Sequence, residues 1–93
     1  MTAPPRAVQR LIWAQNALDD AGFTLESASA DASFRSYWRG MSAGTSWIVM
    51  DAPPDREDTG PWLAMARRLS DAGLKAPLIR AVDSENGFVL MSD

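Results

Sequence analysis

Residues 34–54 read FRSYWRGMSAGTSWIVMDAPP, and this stretch decides the fold. Large and polar side chains alternate over residues 34–39, which predicts a strand, and the apolar run at residues 47–50 predicts another. The Gly and Ser residues within 40–45 predict a hairpin loop between them. The two prolines that close the stretch end the second strand near Asp51, because proline lacks the N–H that a strand ladder needs.

On the N-terminal side, an amphipathic helix is predicted for residues 5–21, because apolar residues recur there at helical spacing. Pro5 suits the start of this helix, and Gly22 suits a left-handed residue just past its end. Residues 23–29 have a weaker strand pattern, and the small residues 29–33 predict a tight connection into the strand that follows.

On the C-terminal side, apolar spacing predicts a second helix over residues 61–72, ended by Gly73. Two strand-like runs follow at residues 78–82 and 87–91, and the step Asn86-Gly87 predicts a hairpin turn between them. The elements therefore run helix, three strands, helix, two strands. This order predicts an α+β fold with one antiparallel sheet and one inserted helix.

Length and composition narrow the class of protein. The chain has 93 residues, which is enough for a single small domain or one lobe of a larger protein. Nine Lys and Arg against twelve Asp and Glu give a net charge of −3, the wrong sign for a protein dominated by contacts with nucleic-acid phosphates. Without Cys or His, the usual zinc sites and the Ser-His and Cys-His nucleophile pairs are excluded.

The sequence also predicts the compartment. Its longest apolar run is far shorter than the roughly 18 residues of a membrane span. The first six residues, MTAPPR, lack the apolar segment of a signal peptide. We therefore expect a cytoplasmic protein without membrane or nucleic-acid partners.

Three features could carry chemistry on residue grounds alone. The connection 29–33 could cover a phosphate with its hydroxyls and free N–H groups, although an ordinary β-turn is the simpler interpretation. Alternation over residues 47–50 puts Ile48 and Met50 on one face of the strand, which either lines a cleft or belongs to the core. Asp51 and the acidic residues of 55–58 could hold a cation, but a solvated loop is favoured.

Two motifs resemble a known family. They are Asp-Ala-Ser-Phe-Arg at residues 31–35, continuing to Arg39, and Met-Asp-Ala-Pro-Pro at residues 50–54, supported by a helix that ends at Gly73 before Pro77. The chain resembles the aminoglycoside phosphotransferase family. Within that family it is similar to the bacterial kinases that phosphorylate the anomeric position of the cell-wall sugars N-acetylmuramate and N-acetylglucosamine.

The resemblance implies a protein-kinase-like N-terminal lobe: a five-stranded antiparallel sheet, one inserted helix and an N-terminal helix, with residues 1–93 as a single nucleotide-binding lobe. The C-terminal catalytic lobe would lie outside this chain, together with the sugar pocket, the catalytic base and most of the Mg²⁺ ligands. ATP and Mg²⁺ are the implied cofactors. The implied nucleotide-binding residues are Ser29, Ala30, Asp31, Ala32 and Ser33 above the phosphates, Ile48 and Met50 on the third strand, and Met91, Ser92 and Asp93 at the adenine edge.

The chain departs from the kinase pattern in both members of one ion pair. Kinase-like folds usually place a Lys or Arg on the third strand, paired with a Glu on the inserted helix. Met50 occupies the matching place here, and residues 61–72 contain no Glu. Loss of both charges is self-consistent, because a buried Glu without its cation would be costly.

Two hypotheses follow. In the first, the chain is the ATP-binding lobe of an amino-sugar kinase in cell-wall recycling, inactive alone and exposing an apolar cleft face. In the second, it is a stand-alone interaction module without catalysis, which uses that face for a protein partner or for self-association. Neither assigns a catalytic residue or a metal ligand to this chain.

Overall fold

The computed structural model describes residues 5–30, 35–53, 60–73 and 78–93. These residues form one five-stranded antiparallel sheet with strand order β1-β2-β3-β5-β4 and two helices. The α+β class and the helix between the third and fourth strands are therefore confirmed. In chain order the elements are α1 (Arg6–Leu18), β1 (Glu26–Ala30), β2 (Ser36–Ser42), β3 (Thr45–Asp51), α2 (Gly60–Asp71), β4 (Ile79–Asp83) and β5 (Phe88–Ser92).

The β2–β3 hairpin is tighter than predicted. Its turn consists of Ala43 and Gly44, with φ of 50° and 79°, and Ser42 pairs directly with Thr45. Positive φ at both turn positions matches the twist of the flanking strands. The predicted loop over 40–45 was too long, because most of its residues belong to the ladder.

Gly40 lies in β2 at a point where no side chain fits. A Cβ on this residue would overlap with the carbonyl oxygen of Thr24 and would lie 2.5 Å from Cζ of Phe23. Phe23 is buried in the core just before β1, which begins at Glu26 and not at Phe23 as predicted. The glycine thus lets the segment before β1 pass directly over β2.

Helix α1 ends earlier than predicted. Its last residue is Leu18, and Asp19 adopts the left-handed conformation with φ of 51° and ψ of 46°. The predicted end at Ala21 with Gly22 as the cap was wrong. The side-chain amide of Gln15 donates to the carbonyl of Phe23 at 2.9 Å, which holds the chain in a turn where the helix would otherwise continue.

Each face of the sheet carries its own core cluster, as the alternation along β3 requires. Val49 belongs to the cluster under α1, and Met50 belongs to the cluster on the α2 side. The first cluster contains Ala14, Phe23, Val49 and Leu90, with Leu11, Trp13, Ala17, Leu18, Leu25, Trp38, Trp47 and Ala81 packed against it. The second contains Met50, Ala52, Val89 and Met91, with Tyr37, Ile48, Leu63 and Ile79 packed against it.

A buried carboxylate fastens α1 to the end of β3. Asp51 is 3% exposed, and its two oxygens accept from Nε of Arg6 at 3.1 Å and from Nη1 of Arg10 at 2.7 Å. Asp51 is therefore neither a cation ligand nor part of a solvated loop, the two alternatives that the sequence left open. The other members of the predicted acidic patch, at residues 55–58, lie outside the described residues.

Both arginines also cover aromatic rings. The guanidinium carbon of Arg10 lies 3.9 Å from the ring centroid of Trp38, and that of Arg6 lies 4.8 Å from the ring centroid of Phe88. Arg6 additionally donates to the carbonyl oxygen of Asn86 at 2.6 Å. Cation–π contacts strengthen when the cation is desolvated, as it is for Arg10.

Replacing Gly40 by alanine should destabilise the chain by about 1 to 3 kcal/mol, because the new methyl group meets backbone that cannot move aside. Urea denaturation measures the loss. Gly22→Ala is the matched control, since a Cβ at that position has its nearest neighbour, a carboxylate oxygen of Asp20, at 3.5 Å. Equal unfolding midpoints for the two variants would contradict the close approach.

Asp51→Asn should destabilise the chain by about 3 kcal/mol, because it leaves the buried Arg10 without a counter-charge. Adding Arg10→Met to Asp51→Asn should recover part of the loss, since the uncompensated charge is then gone. Asp19→Asn at the exposed end of α1 is the control and should change stability by less than about 0.5 kcal/mol. Thermal unfolding of wild type, both single variants, the double variant and the control tests the pairing, and additive losses from Asp51→Asn and Arg10→Met would count against it.

Candidate functional site

Three of the predicted site residues share one face of the sheet. Ile48 on β3 lies directly opposite Met91 on β5, and Met50 lies two residues further along β3. Residues directly opposite in an antiparallel pair point to the same side, as do residues two apart in a strand. The α2-side face therefore carries Ile48, Met50 and Met91 together.

Burial separates these residues from one another. Met50 is 0% exposed and Met91 is 4% exposed, whereas Ile48 and Ser92 are half-buried and Asp93 is exposed. The expectation of an openly exposed apolar cleft face is wrong for Met50 and Met91, because residues such as Leu63 of α2 pack against their cluster. Ile48 is the apolar side chain of the predicted set that keeps accessible surface on this face.

The surroundings of Met50, which the resemblance matches to the cation-bearing position of kinases, are apolar. Met50 belongs to a buried cluster, and Leu63 of α2 packs against that cluster. A buried ion pair and a well-packed apolar pair of similar volume have comparable effects on stability. Apolar residues in place of both charged residues therefore leave the packing of α2 against the sheet intact.

The predicted phosphate loop begins at the end of β1. Ser29 pairs with Tyr37, and Ala30 pairs with Ser36 at the start of β2. Tyr37 in turn pairs with Met50. The chain thus leaves β1 level with the Met50 end of β3, with β2 between them. Asp31, Ala32 and Ser33 lie outside the described residues, so their predicted role over the phosphates stays a prediction.

A polar cluster adjoins Ile48 and Met91. The carboxylate of Asp93 accepts from Nε of Arg39 at 2.6 Å, from Nη2 of Arg39 at 3.2 Å and from the Ser46 hydroxyl at 2.6 Å. These hydrogen bonds, first from Arg39 and then from Ser46, lower the pKa of Asp93. The sequence analysis missed Arg39, and its only signal was that Arg39 alternates with Tyr37 on β2, which places both on one face.

The described residues offer no metal site. Among them, no group of three or more acidic side chains lies close enough to hold an ion. Asp51 and Asp93 are both engaged by arginines. The described part of the chain therefore does not supply the ligands that Mg²⁺ prefers, which are several oxygen donors around one point.

No described helix is long and apolar enough to cross a bilayer.

Comparison with known families identifies the fold. A model of the phosphotransferase enzyme family matches residues 24–93, which covers the whole sheet and α2. The chain belongs to the phosphotransferase enzyme family. The kinase-like N-terminal architecture expected from the sequence motifs is therefore confirmed, and in this member α1 precedes the matched region.

Proteins from three bacteria are similar to the chain. The N-acetylmuramate/N-acetylglucosamine kinase of Pseudomonas putida is 40% identical over 99 residues, covering 95% of this chain and 29% of the relative. The proteins of the same name from Pseudomonas aeruginosa and Neisseria meningitidis serogroup B are 52% and 36% identical, covering 71% and 95% of this chain. The chain spans 20 to 29% of the length of these relatives. No solved structure matches it.

Met50→Lys should destabilise the chain by several kcal/mol, because the ammonium group would be buried with no Glu on α2 to pair with it. Met50→Leu is the control and should lose less than about 1.5 kcal/mol, since it keeps the site apolar. Adding Leu63→Glu to Met50→Lys should restore part of the loss by rebuilding an ion pair. Urea unfolding measures the stability of each variant. A Met50→Lys protein as stable as the Met50→Leu protein would contradict the apolar surroundings of position 50.

Proposed function

We propose that this chain is the nucleotide-binding lobe of a sugar kinase. The longer protein would transfer the γ-phosphoryl group of ATP to the anomeric hydroxyl of N-acetylmuramate or N-acetylglucosamine, a step in the re-use of cell-wall sugars in the cytoplasm. The observation that carries the proposal is the similarity, at 36 to 52% identity, to kinases named for those two sugars. Residues 1–93 would form one lobe, with the catalytic lobe following them.

The geometry of the sheet supports the nucleotide role. Ile48 offers a half-buried apolar surface on the α2-side face, which suits the flat apolar side of a purine. The chain leaves β5 after Ser92 at the Ile48 end of that surface, where the backbone N–H and C=O groups of Asp93 suit the polar rim of the base. The start of the 29–33 connection is level with the opposite, Met50 end of β3, with β2 between them.

The chemistry divides between the two lobes. The anomeric oxygen attacks the γ-phosphorus, the bond from that phosphorus to the bridging oxygen of ADP breaks, and the hydroxyl proton passes to a base outside this chain. The described residues contribute neither a cation at Met50 nor a set of metal ligands. In this proposal the lobe therefore positions the base, and the charges that act on the phosphates come from elsewhere in the protein.

Titration of the 93-residue chain with Mg-ATP, followed by amide shifts in two-dimensional NMR, tests the lobe directly. We expect weak, saturable shifts at Ile48, Ser92 and Asp93 and in the 29–33 connection. The amides of Val8 and Ile12, on α1 beyond the other face of the sheet, are internal controls and should not move.

A matched pair of variants sharpens the titration. Ile48→Asn should weaken binding, whereas Ile12→Asn, on the exposed side of α1, should leave it unchanged. Shifts that are absent at millimolar Mg-ATP, accompanied by concentration-dependent broadening over the Ile48 face, would instead support the interaction-module hypothesis.

A chimera tests the substrate. Replacing the matching N-terminal part of the Pseudomonas putida kinase with residues 1–93 should give a protein that phosphorylates both amino sugars. A folded chimera that phosphorylates neither sugar, while the intact relative does so in the same assay, would overturn the proposed function.

A further inference from the structure

The polar cluster formed by Arg39, Ser46 and Asp93, called here the clasp, joins β2, β3 and the residue that follows β5. Its hydrogen bonds span 54 residues of sequence between Arg39 and Asp93, and 47 between Ser46 and Asp93. The two Arg39 bonds to separate carboxylate oxygens form the bidentate arrangement that gives arginine its directional preference. The clasp therefore fixes an orientation as well as a distance.

The clasp lies on the same face as Ile48 and Met91. Arg39 pairs directly with Ile48, and Ile48 pairs directly with Met91, so the three side chains point to one side of the sheet. Ser46 lies two residues before Ile48, and Asp93 lies two residues after Met91. The clasp is thus a polar border beside the apolar surface to which the nucleotide base is assigned.

We infer that Arg39 is a positioning residue for nucleotide binding: through the clasp it holds the backbone of Met91–Asp93 in the orientation that meets the base. This inference rests on the proposed function. It assigns Arg39 no direct contact with the nucleotide and no role in the transfer chemistry. It keeps Asp93 at the adenine edge, as expected, and assigns the Asp93 side chain to the clasp.

The side chains of Ser92 and Asp93 already have hydrogen-bond partners within the protein, and this is the first support for the inference. The Asp93 carboxylate already accepts three hydrogen bonds, two from Arg39 and one from Ser46. The Ser92 hydroxyl accepts from the N–H of Leu78 at 2.8 Å, and the Ser92 N–H donates to the carbonyl of Leu78 at 2.9 Å. Both polar side chains of the segment are thus used internally. Met91 and Ser92 also belong to β5, which is paired on both sides, so the contacts left for a ligand are those of the Asp93 backbone.

The solvent exposure of the Arg39–Asp93 ion pair is the second support for the inference. The side chains of Arg39 and Asp93 are 46% and 31% exposed, and ion pairs this open contribute little to global stability. Loss of the clasp should therefore appear as a local change after β5 with almost no change in melting temperature. A small local reorientation is sufficient to weaken a ligand that depends on backbone geometry.

Charge state gives the clasp a defined pH range. Because the pKa of Asp93 is lowered, the clasp is fully present above the usual pKa of an aspartate, and it is lost as the pH falls through the depressed value. Glu26, which pairs with Arg39 across β1, is the other charged group that acts on Arg39. Arg39 stays protonated throughout, so the acid limb belongs to the carboxylate.

The experiment compares Arg39→Gln and Asp93→Asn in the 93-residue chain, with Arg80→Gln on the exposed surface of β4 as the matched control. Both clasp variants should weaken Mg-ATP binding by roughly three- to fivefold with an unchanged melting temperature. Because both break the same pair, the double variant should lose no more than either single one. Arg39→Lys should fall between wild type and Arg39→Gln, and Arg80→Gln should match wild type.

Asp93→Asn separates positioning from direct contact. If Arg39 itself bound the nucleotide, removal of the Asp93 charge would free its guanidinium and leave binding equal or stronger. That result would overturn the inference. The exchanged pair, Arg39→Asp with Asp93→Arg, should restore affinity, which a direct contact from Arg39 would not allow.

Amide hydrogen exchange without nucleotide tests the clasp independently of ATP. Protection factors at Met91 and Ser92, which are corrected for the intrinsic exchange rate at each pH, should be several-fold lower in Arg39→Gln than in wild type. They should also be lower in wild type at a pH below the Asp93 pKa than at neutral pH. Unchanged exchange, or unchanged affinity in a wild type that does bind, would overturn the inference. If wild type does not bind Mg-ATP, both the positioning role of Arg39 in nucleotide binding and the proposed function are overturned. Faster exchange in Arg39→Gln would still support the clasp as the element that orders the backbone of Met91 and Ser92.

Discussion

The structure depends most on a single buried carboxylate. Asp51 ends β3 at the point where the chain must leave the sheet, and two arginines from α1 neutralise it there. A carboxylate in this position would be strongly unfavourable alone, because burial removes its hydration. The arginines need the carboxylate equally, since Arg10 is itself buried under the ring of Trp38. Helix α1 is therefore held to the sheet by the ion pairs of its two arginines with Asp51, in addition to the packing of its apolar face.

The arginines that neutralise Asp51 come from α1, on one face of the sheet. The opposite, α2-side face is packed separately. The alternation of β3 directs Val49 toward α1 and Met50 toward α2, so the two faces are independently packed. The α2-side face has an apolar interior at Met50 and an accessible margin at Ile48, bordered by the polar clasp. This gradation, from a dry centre to a polar edge, is the usual arrangement of small-molecule sites.

Much of the fold could be predicted from local pattern. Alternation, helical spacing and turn residues located both helices and all five strands of the described chain, because each signal acts over a few residues. The boundaries that failed were set by tertiary contacts. Gln15 ends α1 through a carbonyl eight residues away, and Gly40 stays in β2 because another segment passes over it. The pairing of Arg39 with Asp93, and that of Asp51 with α1, joins residues more than forty positions apart. No short-range pattern reports such contacts, so the resemblance to a family indicated the site only in outline.

The contacts of Arg6 have a consequence for how the chain folds. This residue binds Asp51 and the carbonyl of Asn86, which lie 45 and 80 residues away. Contacts this distant form only after the intervening chain has closed a large loop, and such closures delay folding. The docking position of α1 is complete only once the β4–β5 hairpin exists. Helix α1 leaves the ribosome before the sheet but is expected to reach its place after it, and until then the apolar residues beneath it stay open to water or to a chaperone.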